Sequence, residues 1–174
     1  PGDSLEDAQA NKYELICRKL GLEPGMRLLD VGCGWGGMAM HAAEHHGVRA
    51  VGVTISRRQA DLAEKRAAEA GLSKDVEIRL QDYREVADGP FDAISSIGMF
   101  EHVGEARLGD YFSRLRALLG PQGRLLNHGI SRPSGQLGGV APAAGVLDPQ
   151  VHLRAERPDQ HVAAALGGRG GLRI

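Results

Sequence analysis

The chain has 174 residues, a length that fits one domain with a single core. Its 21 lysines and arginines nearly balance its 22 aspartates and glutamates, so no nucleic-acid partner is expected. No apolar run is long enough for a transmembrane segment, and no basic-then-apolar leader opens the chain. Cys17 and Cys33 lack a metal or redox spacing, which favours a reduced, cytoplasmic compartment. The first residue is Pro1, which favours a chain that begins inside a longer product.

Helix-like and strand-like segments alternate over most of the chain. Asp3 or Ser4 can cap the first helix, at 5–20, whose apolar face is predicted to hold Leu5, Ala8, Tyr13, Ile16, Cys17 and Leu20. The later segments are strand 27–34, helix 36–46, strand 48–56, helix 57–71, strands 76–83 and 91–100, helix 107–120 and strand 123–130. This alternation predicts an α/β fold with a doubly wound, mostly parallel sheet.

The alternation stops at about Arg132, which divides the chain into a core at 1–132 and a tail at 133–174. The tail is rich in glycine, proline and alanine and has no aromatic residue, a composition typical of irregular structure. We expect a short helix only around 159–166 and no strand. The sheet is therefore predicted to be incomplete at its C-terminal strands.

The segment LLDVGCGWGG, at 28–37, joins a strand to a helix through a glycine-rich turn. Bare backbone amides at a helix start accommodate an anionic or polar ligand. A dinucleotide is one candidate, but the spacing is GxGxGG and the second strand ends in VTIS without an acidic residue. S-adenosyl-L-methionine is the other candidate, and packing alone could also explain such a turn.

Five segments in order make a family recognisable: LLDVGCGWGG, VGVTISRRQ, LQDYRE, FDAISSIGMFEHVG and LLNHGI. Together they resemble the cyclopropane-fatty-acyl-phospholipid synthases and the mycolic acid methyltransferases, over residues 5–132. The resemblance implies a Rossmann-like methyltransferase core and a cytoplasmic enzyme that works at the membrane surface. Its implied reaction is the transfer of a methyl (methylene) group from S-adenosyl-L-methionine to the cis double bond of an unsaturated phospholipid acyl chain. This transfer forms a cyclopropane ring.

The resemblance assigns the cofactor site residue by residue. The methionine part is assigned to Asp30, Gly32, Cys33, Gly34, Trp35 and Gly36; the ribose to Thr54, Ile55, Ser56 and Gln59; and the adenine region to Gln81, Asp82 and Tyr83. Several of these residues have a structural alternative. Asp30 could be a turn residue, Cys33 a small buried residue and Tyr83 a core aromatic, while Ser56 is also expected to cap the following helix.

The resemblance also implies that Glu101 and His128 hold a bicarbonate ion, which serves as the catalytic base. Ring closure requires the loss of a proton from the transferred methyl group, so a base must lie within hydrogen-bond reach. His102 is either part of this site or a turn residue. The histidines at 41, 45 and 46 are predicted to form a solvated helix end, and no metal site is expected.

The chain departs from the family in three places. Residues 1–174 contain no match to an upstream YSCAYF-like segment, to a tyrosine-bearing lipid-pocket wall after the fifth strand, or to a YVFPDG-like segment. A non-catalytic cofactor-binding remnant therefore stays open, as does a small-molecule C- or N-methyltransferase, and a nicotinamide-dependent oxidoreductase is a distant alternative. The acyl chain, the head group and the oligomeric state also stay open, with a homodimer as one option.

The tail prompts a hypothesis about its reading frame. With suitable codons, deleting one nucleotide converts DPQVHL at 148–153 into DPKFIY, which resembles the family at that point. Residues from a point between 133 and 149 onward would then be translated out of frame. Reading the encoding nucleotides in three frames tests this, and a divergent tail is the alternative.

Overall fold

A computed structural model describes residues 4–129 and 150–154. Four helices and six strands make up this part of the chain, with short 3₁₀ turns between some of them. The helices are α1 Leu5–Leu20, α2 Gly37–His46, α3 Arg57–Glu69 and α4 Leu108–Leu118. The strands are β1 Arg27–Val31, β2 Arg49–Thr54, β3 Val76–Leu80, β4 Phe91–Ile97, β5 Leu119–His128 and β6 Gln150–Arg154.

The six strands form one sheet in the order β3-β2-β1-β4-β5-β6. Strands β1 to β5 are parallel to their neighbours, whereas β6 is antiparallel to β5. The chain reverses its direction of winding between β1 and β4, which is where open α/β sheets form a ligand crevice. The predicted α/β, doubly wound, mostly parallel sheet is thus confirmed.

The helices cover both faces of the sheet. Successive residues of β1 point to opposite faces, so Leu28 packs in the core beneath α1, α2 and α3 while Leu29 packs in the core beneath α4. Leu28 and Leu29 are fully buried, as is Tyr111 of α4. A sheet buried on both sides explains why its strands read as nearly continuous apolar runs.

Helix α1 is capped at both ends. Ser4 is its N-cap and forms a capping box with Asp7, and Gly21 ends the helix with a φ of 60°. The predicted apolar face holds only in the second half of the helix, because Leu5 is 77% exposed and Ala8 is also exposed. The first two turns extend past the core that buries Ile16, Cys17 and Leu20.

Strand β6 corrects one expectation about the tail. No strand is predicted from the sequence of 133–174, yet Gln150–Arg154 pair with β5 from Arg124 to His128. An open edge strand presents unpaired backbone groups, and any extended segment that reaches it gains hydrogen bonds regardless of its composition. The short helix expected around 159–166 lies outside the described residues.

Within residues 4–129 and 150–154, no helix is both long and apolar enough to cross a membrane.

Candidate cofactor-binding site

A cavity of about 650 Å³ opens over the carboxyl ends of β1, β2, β3 and β4. Its volume lies in the range of small-molecule and cofactor sites. Residues from the turns after each of the four strands line it. The predicted site residues among them are Gly32, Gly34, Thr54, Ile55, Gln59, Gln81, Asp82 and Tyr83.

The glycine turn forms one wall of the cavity. Gly32, Gly34 and Gly36 all have φ between 56° and 78°, which residues with a side chain rarely adopt. The amides of Gly32 and Cys33 both donate to the Val53 carbonyl oxygen at 3.0 Å, so the turn is held against the end of β2. A Cβ on Gly34 would meet nothing within 4 Å, which leaves its backbone open to a ligand.

Gly36 is required for helix packing, whereas Gly34 leaves backbone open to a ligand. A Cβ on Gly36 would lie 3.0 Å from the Ala63 Cβ, so this glycine allows α2 to start against α3. Gly36 and Cys33 do not line the cavity, and Cys33 is a small buried residue beside Gly52. Trp35 is 47% exposed and also lies outside the cavity wall.

Asp30 lies just below the glycine turn, at the end of β1. Its side chain is buried and accepts a hydrogen bond from Ser95 Oγ at 2.7 Å. Burial raises the pKa of Asp30 to about 6, against the opposing effects of the Ser95 hydrogen bond and the Lys12 charge. A nearby cation would stabilise the charged form of this buried carboxylate. Asp30 itself does not line the cavity.

The turn after β2 joins a hydroxyl to an amide. Thr54 Oγ1 donates to Gln59 Oε1 at 2.8 Å and accepts from the Ser56 amide at 3.2 Å. Ser56 caps α3 by accepting from the Gln59 amide, as predicted. The pair leaves the Gln59 Nε2 group available as a donor at the cavity wall, and Ile55 stands 79% exposed beside it.

The turn after β3 completes the opposite wall. The Gln81 amide donates to the Thr54 carbonyl oxygen at 2.9 Å, which ties this turn to the one after β2. Asp82 pairs with Arg84 at 2.6 Å, and this contact lowers the Asp82 pKa. Tyr83 meets the buried Tyr111 ring edge-on, so it serves both the core and the cavity.

Glu101 and His128 come from neighbouring strand ends. His128 is opposite Ile97 in the β4–β5 register, and its carbonyl oxygen accepts from the Gly98 amide at 2.8 Å. The Glu101 carboxyl carbon would lie 3.5 Å from a Cβ on Gly129, next to His128. The structure therefore brings both residues to one edge of the sheet, and neither lines the cavity, although His102 does.

Several residues near the site carry no signal in the sequence. Arg107 and Asp110 line the cavity from the start of α4. Lys12 and Tyr13 of α1 lie within the electrostatic reach of Asp30, and the Tyr13 hydroxyl would be 2.7 Å from a Cβ on Gly37. These contacts depend on how helices dock, which local periodicity does not reveal.

Comparison with known proteins identifies the family of the chain that forms this cavity. Residues 1–140 match the family described as mycolic acid cyclopropane synthetase. The chain belongs to this family. The resemblance drawn from the sequence motifs is thus confirmed, and so is the Rossmann-like fold.

Two curated relatives show how much of the family's length is present. A probable fatty acid methyltransferase of Mycobacterium tuberculosis is 54% identical over 129 residues, which are 74% of this chain and 30% of the relative. The cyclopropane-fatty-acyl-phospholipid synthase of Escherichia coli K12 is 51% identical over 128 residues, which are 74% of this chain and 32% of the relative. The chain therefore spans about a third of the length of these relatives.

A solved structure of a family member supports the same family and fold. A mycolic acid cyclopropane synthase in complex with SAH and CTAB has a TM-score of 0.68 and 41% sequence identity. The match covers 72% of this chain and 44% of that one.

Proposed function

We propose that this chain is the cofactor-binding part of a methyltransferase that uses S-adenosyl-L-methionine to convert the cis double bond of an unsaturated phospholipid acyl chain into a cyclopropane ring. The observation that carries this proposal is the cavity at the ends of β1 to β4, where the open Gly34 turn faces the Thr54–Gln59 pair. A family member with this fold is known in complex with SAH, which fits a cavity of this kind.

The side chains present fit the cofactor. Bound S-adenosyl-L-methionine would supply an electrophilic methyl group. The backbone of Gly32 and Gly34 would lie beside its amino-acid end, and the carboxylate of Asp30, buried behind the glycine turn, would attract its ammonium group. Gln59 offers an amide donor to the ribose hydroxyls, as an acidic residue offers acceptors in other dinucleotide and nucleoside sites.

Glu101 and His128 would hold the bicarbonate ion that the resemblance implies. A bicarbonate hydroxyl can donate to a carboxylate, and a histidine N–H can donate to a bicarbonate oxygen. The ion would supply a base for the final proton loss. Support for this arrangement is the juxtaposition of the two residues where β4 and β5 end.

The substrate would come from a membrane surface, because phospholipid acyl chains are found there. Peripheral attachment of a cytoplasmic enzyme is the arrangement we propose, and a homodimer stays an option. A cofactor-binding protein without turnover is the second candidate.

Titration calorimetry with S-adenosylhomocysteine tests the cofactor site on the whole chain. We expect saturable one-to-one binding, with NADH giving no heat. Absence of binding by the folded chain would contradict the proposal.

Turnover is then tested with unsaturated phospholipid vesicles and methyl-labelled S-adenosylmethionine, with and without bicarbonate. Cyclopropane product that is lost in Glu101→Gln and kept in the exposed control Glu44→Gln supports the lipid reaction. Binding without product supports the second candidate.

A further inference from the structure

Helices α1 and α2 bring a cysteine, two histidines and a glutamate together on the face of the sheet that these two helices cover. Cys17, His41 and His46 each place one potential ligand atom within 4.8 Å of the other two. Glu14, one turn before Cys17 on α1, places Oε2 at 2.9 Å from His46 Nε2 and 3.5 Å from His41 Nε2. None of these four residues lines the cavity.

This burial differs from the solvated helix end predicted from the sequence. Cys17 is fully buried, and the His41 and His46 side chains are only 13% and 18% exposed, whereas His45 is 52% exposed. The prediction was therefore wrong for two of the three histidines. Packing of α1 over α2 covers them, a contact that the periodicity of either helix alone does not show.

We propose that Cys17, His41 and His46 form a site for a thiophilic divalent metal ion of the zinc class. Thiolate and imidazole are the ligands that zinc prefers, while magnesium and calcium prefer oxygen. In a tetrahedral zinc site neighbouring ligand atoms are about 3.4–3.8 Å apart, given metal–ligand distances of about 2.0–2.3 Å. The present separations, all within 4.8 Å, exceed that range by about 1 Å at most, a difference that side-chain rotation would have to close.

Glu14 supports the site in two ways. Its carboxylate and a Cys17 thiolate together carry two negative charges, which balance a divalent cation. It also accepts from the ring nitrogens of both histidines in the present structure, so it holds their rings in place before an ion enters. Its side chain is 31% exposed, which leaves a path from solvent.

Occupation would cross-link α1 to α2. Helix α1 carries Lys12 and Tyr13 toward the glycine turn, and α2 begins at that turn. The ion would therefore stabilise the fold around the cofactor turn without taking part in the reaction. Burial raises the pKa of the Cys17 thiol to about 12, so binding must release a proton.

Cobalt titration of the metal-free, reduced chain tests the proposal. We expect one equivalent of Co²⁺ to produce thiolate-to-cobalt charge-transfer absorption and the intense visible bands of tetrahedral cobalt, both removed by Zn²⁺. Cys17→Ser should lose the charge-transfer absorption, and His46→Gln should weaken Co²⁺ binding at least about tenfold. His45→Gln and Cys33→Ala are matched controls that should keep both signals.

Thermal unfolding shows whether each variant is folded and gives a second measure of metal binding. Zn²⁺ should raise the Tm of the wild-type chain and of His45→Gln, and should raise that of His46→Gln less at the same Zn²⁺ concentration. A folded wild-type chain that shows no cobalt absorption at one equivalent would overturn the proposal. So would thiolate-to-cobalt charge-transfer absorption that persists in Cys17→Ser, because it would place the metal-binding thiolate elsewhere.

Discussion

Asp30 and Ser95 face each other across the parallel pair β1–β4, and Ser95 Oγ donates to Asp30 Oδ1 over 2.7 Å. This hydrogen bond does not offset the loss of water around the carboxylate, and the pKa of Asp30 stays raised at about 6. A charge is thus kept below the glycine turn at a cost to the folded state. The raised pKa predicts how both cofactor affinity and stability depend on pH.

Cofactor affinity should fall in acid. If Asp30 stabilises the ammonium group, its protonation weakens binding, so S-adenosylhomocysteine affinity should fall by up to about tenfold per pH unit as the pH drops below about 6. Calorimetry across this range measures the effect, with Asp30→Asn as a control expected to bind weakly and without this slope. A flat profile in the wild-type chain would assign Asp30 a purely structural role.

Stability without ligand should change with pH in the opposite sense. The folded-state pKa of Asp30 lies above its ordinary value of 3.8, so the stability linked to its protonation is full below about 3.8 and is lost as the pH rises through about 6. Asp30→Asn should therefore raise the free energy of unfolding at neutral pH by about 1–3 kcal/mol, and by little near pH 4. Urea unfolding of both proteins at the two pH values checks this, and a less stable variant at neutral pH would contradict it.

Gln59 allows a matched pair of substitutions. Gln59→Leu removes the acceptor for Thr54 Oγ1 and the free amide donor, and should weaken S-adenosylhomocysteine binding by about tenfold. Gln59→Glu keeps an acceptor for Thr54 and can accept from both ribose hydroxyls, so its affinity should stay within about threefold of wild type. Equal affinities for wild type and Gln59→Leu would remove Gln59 from the ribose site.

The glycine turn separates ligand contact from packing. Gly34→Ala and Gly36→Ala both place a Cβ at positive φ, which costs about 1 kcal/mol of stability. Only Gly36→Ala also crowds Ala63, so it should be the less stable variant in urea unfolding. Gly34→Ala should show the larger loss of cofactor affinity relative to its loss of stability. The reverse ranking would show that Gly34 does not face the ligand.

Tyr111 supports the end of β4 from below. Its hydroxyl shares a hydrogen bond with Ser96 Oγ at 2.5 Å and donates to Asn127 Oδ1 at 3.5 Å, and all three residues are buried. Tyr111→Phe leaves Ser96 and Asn127 without this partner, so the free energy of unfolding should fall by about 1–3 kcal/mol. Ser113→Ala, an exposed position on the same helix, is the control and should change it by less than about 0.5 kcal/mol.

The sequence predicts the sheet well because each strand and helix is specified by residues that are close together in the sequence. Ser56 illustrates this: it caps α3 two residues after β2 ends, and this role arises from nearby residues. The end of each predicted strand was less accurate, since turns such as that after Thr54 begin in extended conformation.

The rest depends on contacts between distant segments. Nothing near Lys12 or Tyr13 signals the approach to Asp30, and nothing near Cys17 signals His41 or His46. Periodicity reports which face of a helix is apolar, but not which partner covers it. Leu5 shows that the apolar face of a helix can also be predicted too long. It lies on the predicted apolar face, yet it is exposed because no core residues reach it.

The order β3-β2-β1-β4-β5 has a consequence for how such proteins diversify. Among the residues that the structure describes, those that line the cavity run from Gly32 to Asp110, so one unbroken stretch of chain carries this part of the cavity wall. The chain beyond α4 can therefore be exchanged without rewriting that stretch. A chimera that joins this segment to the later part of a different methyltransferase should keep its nucleoside binding and take its substrate preference from the graft.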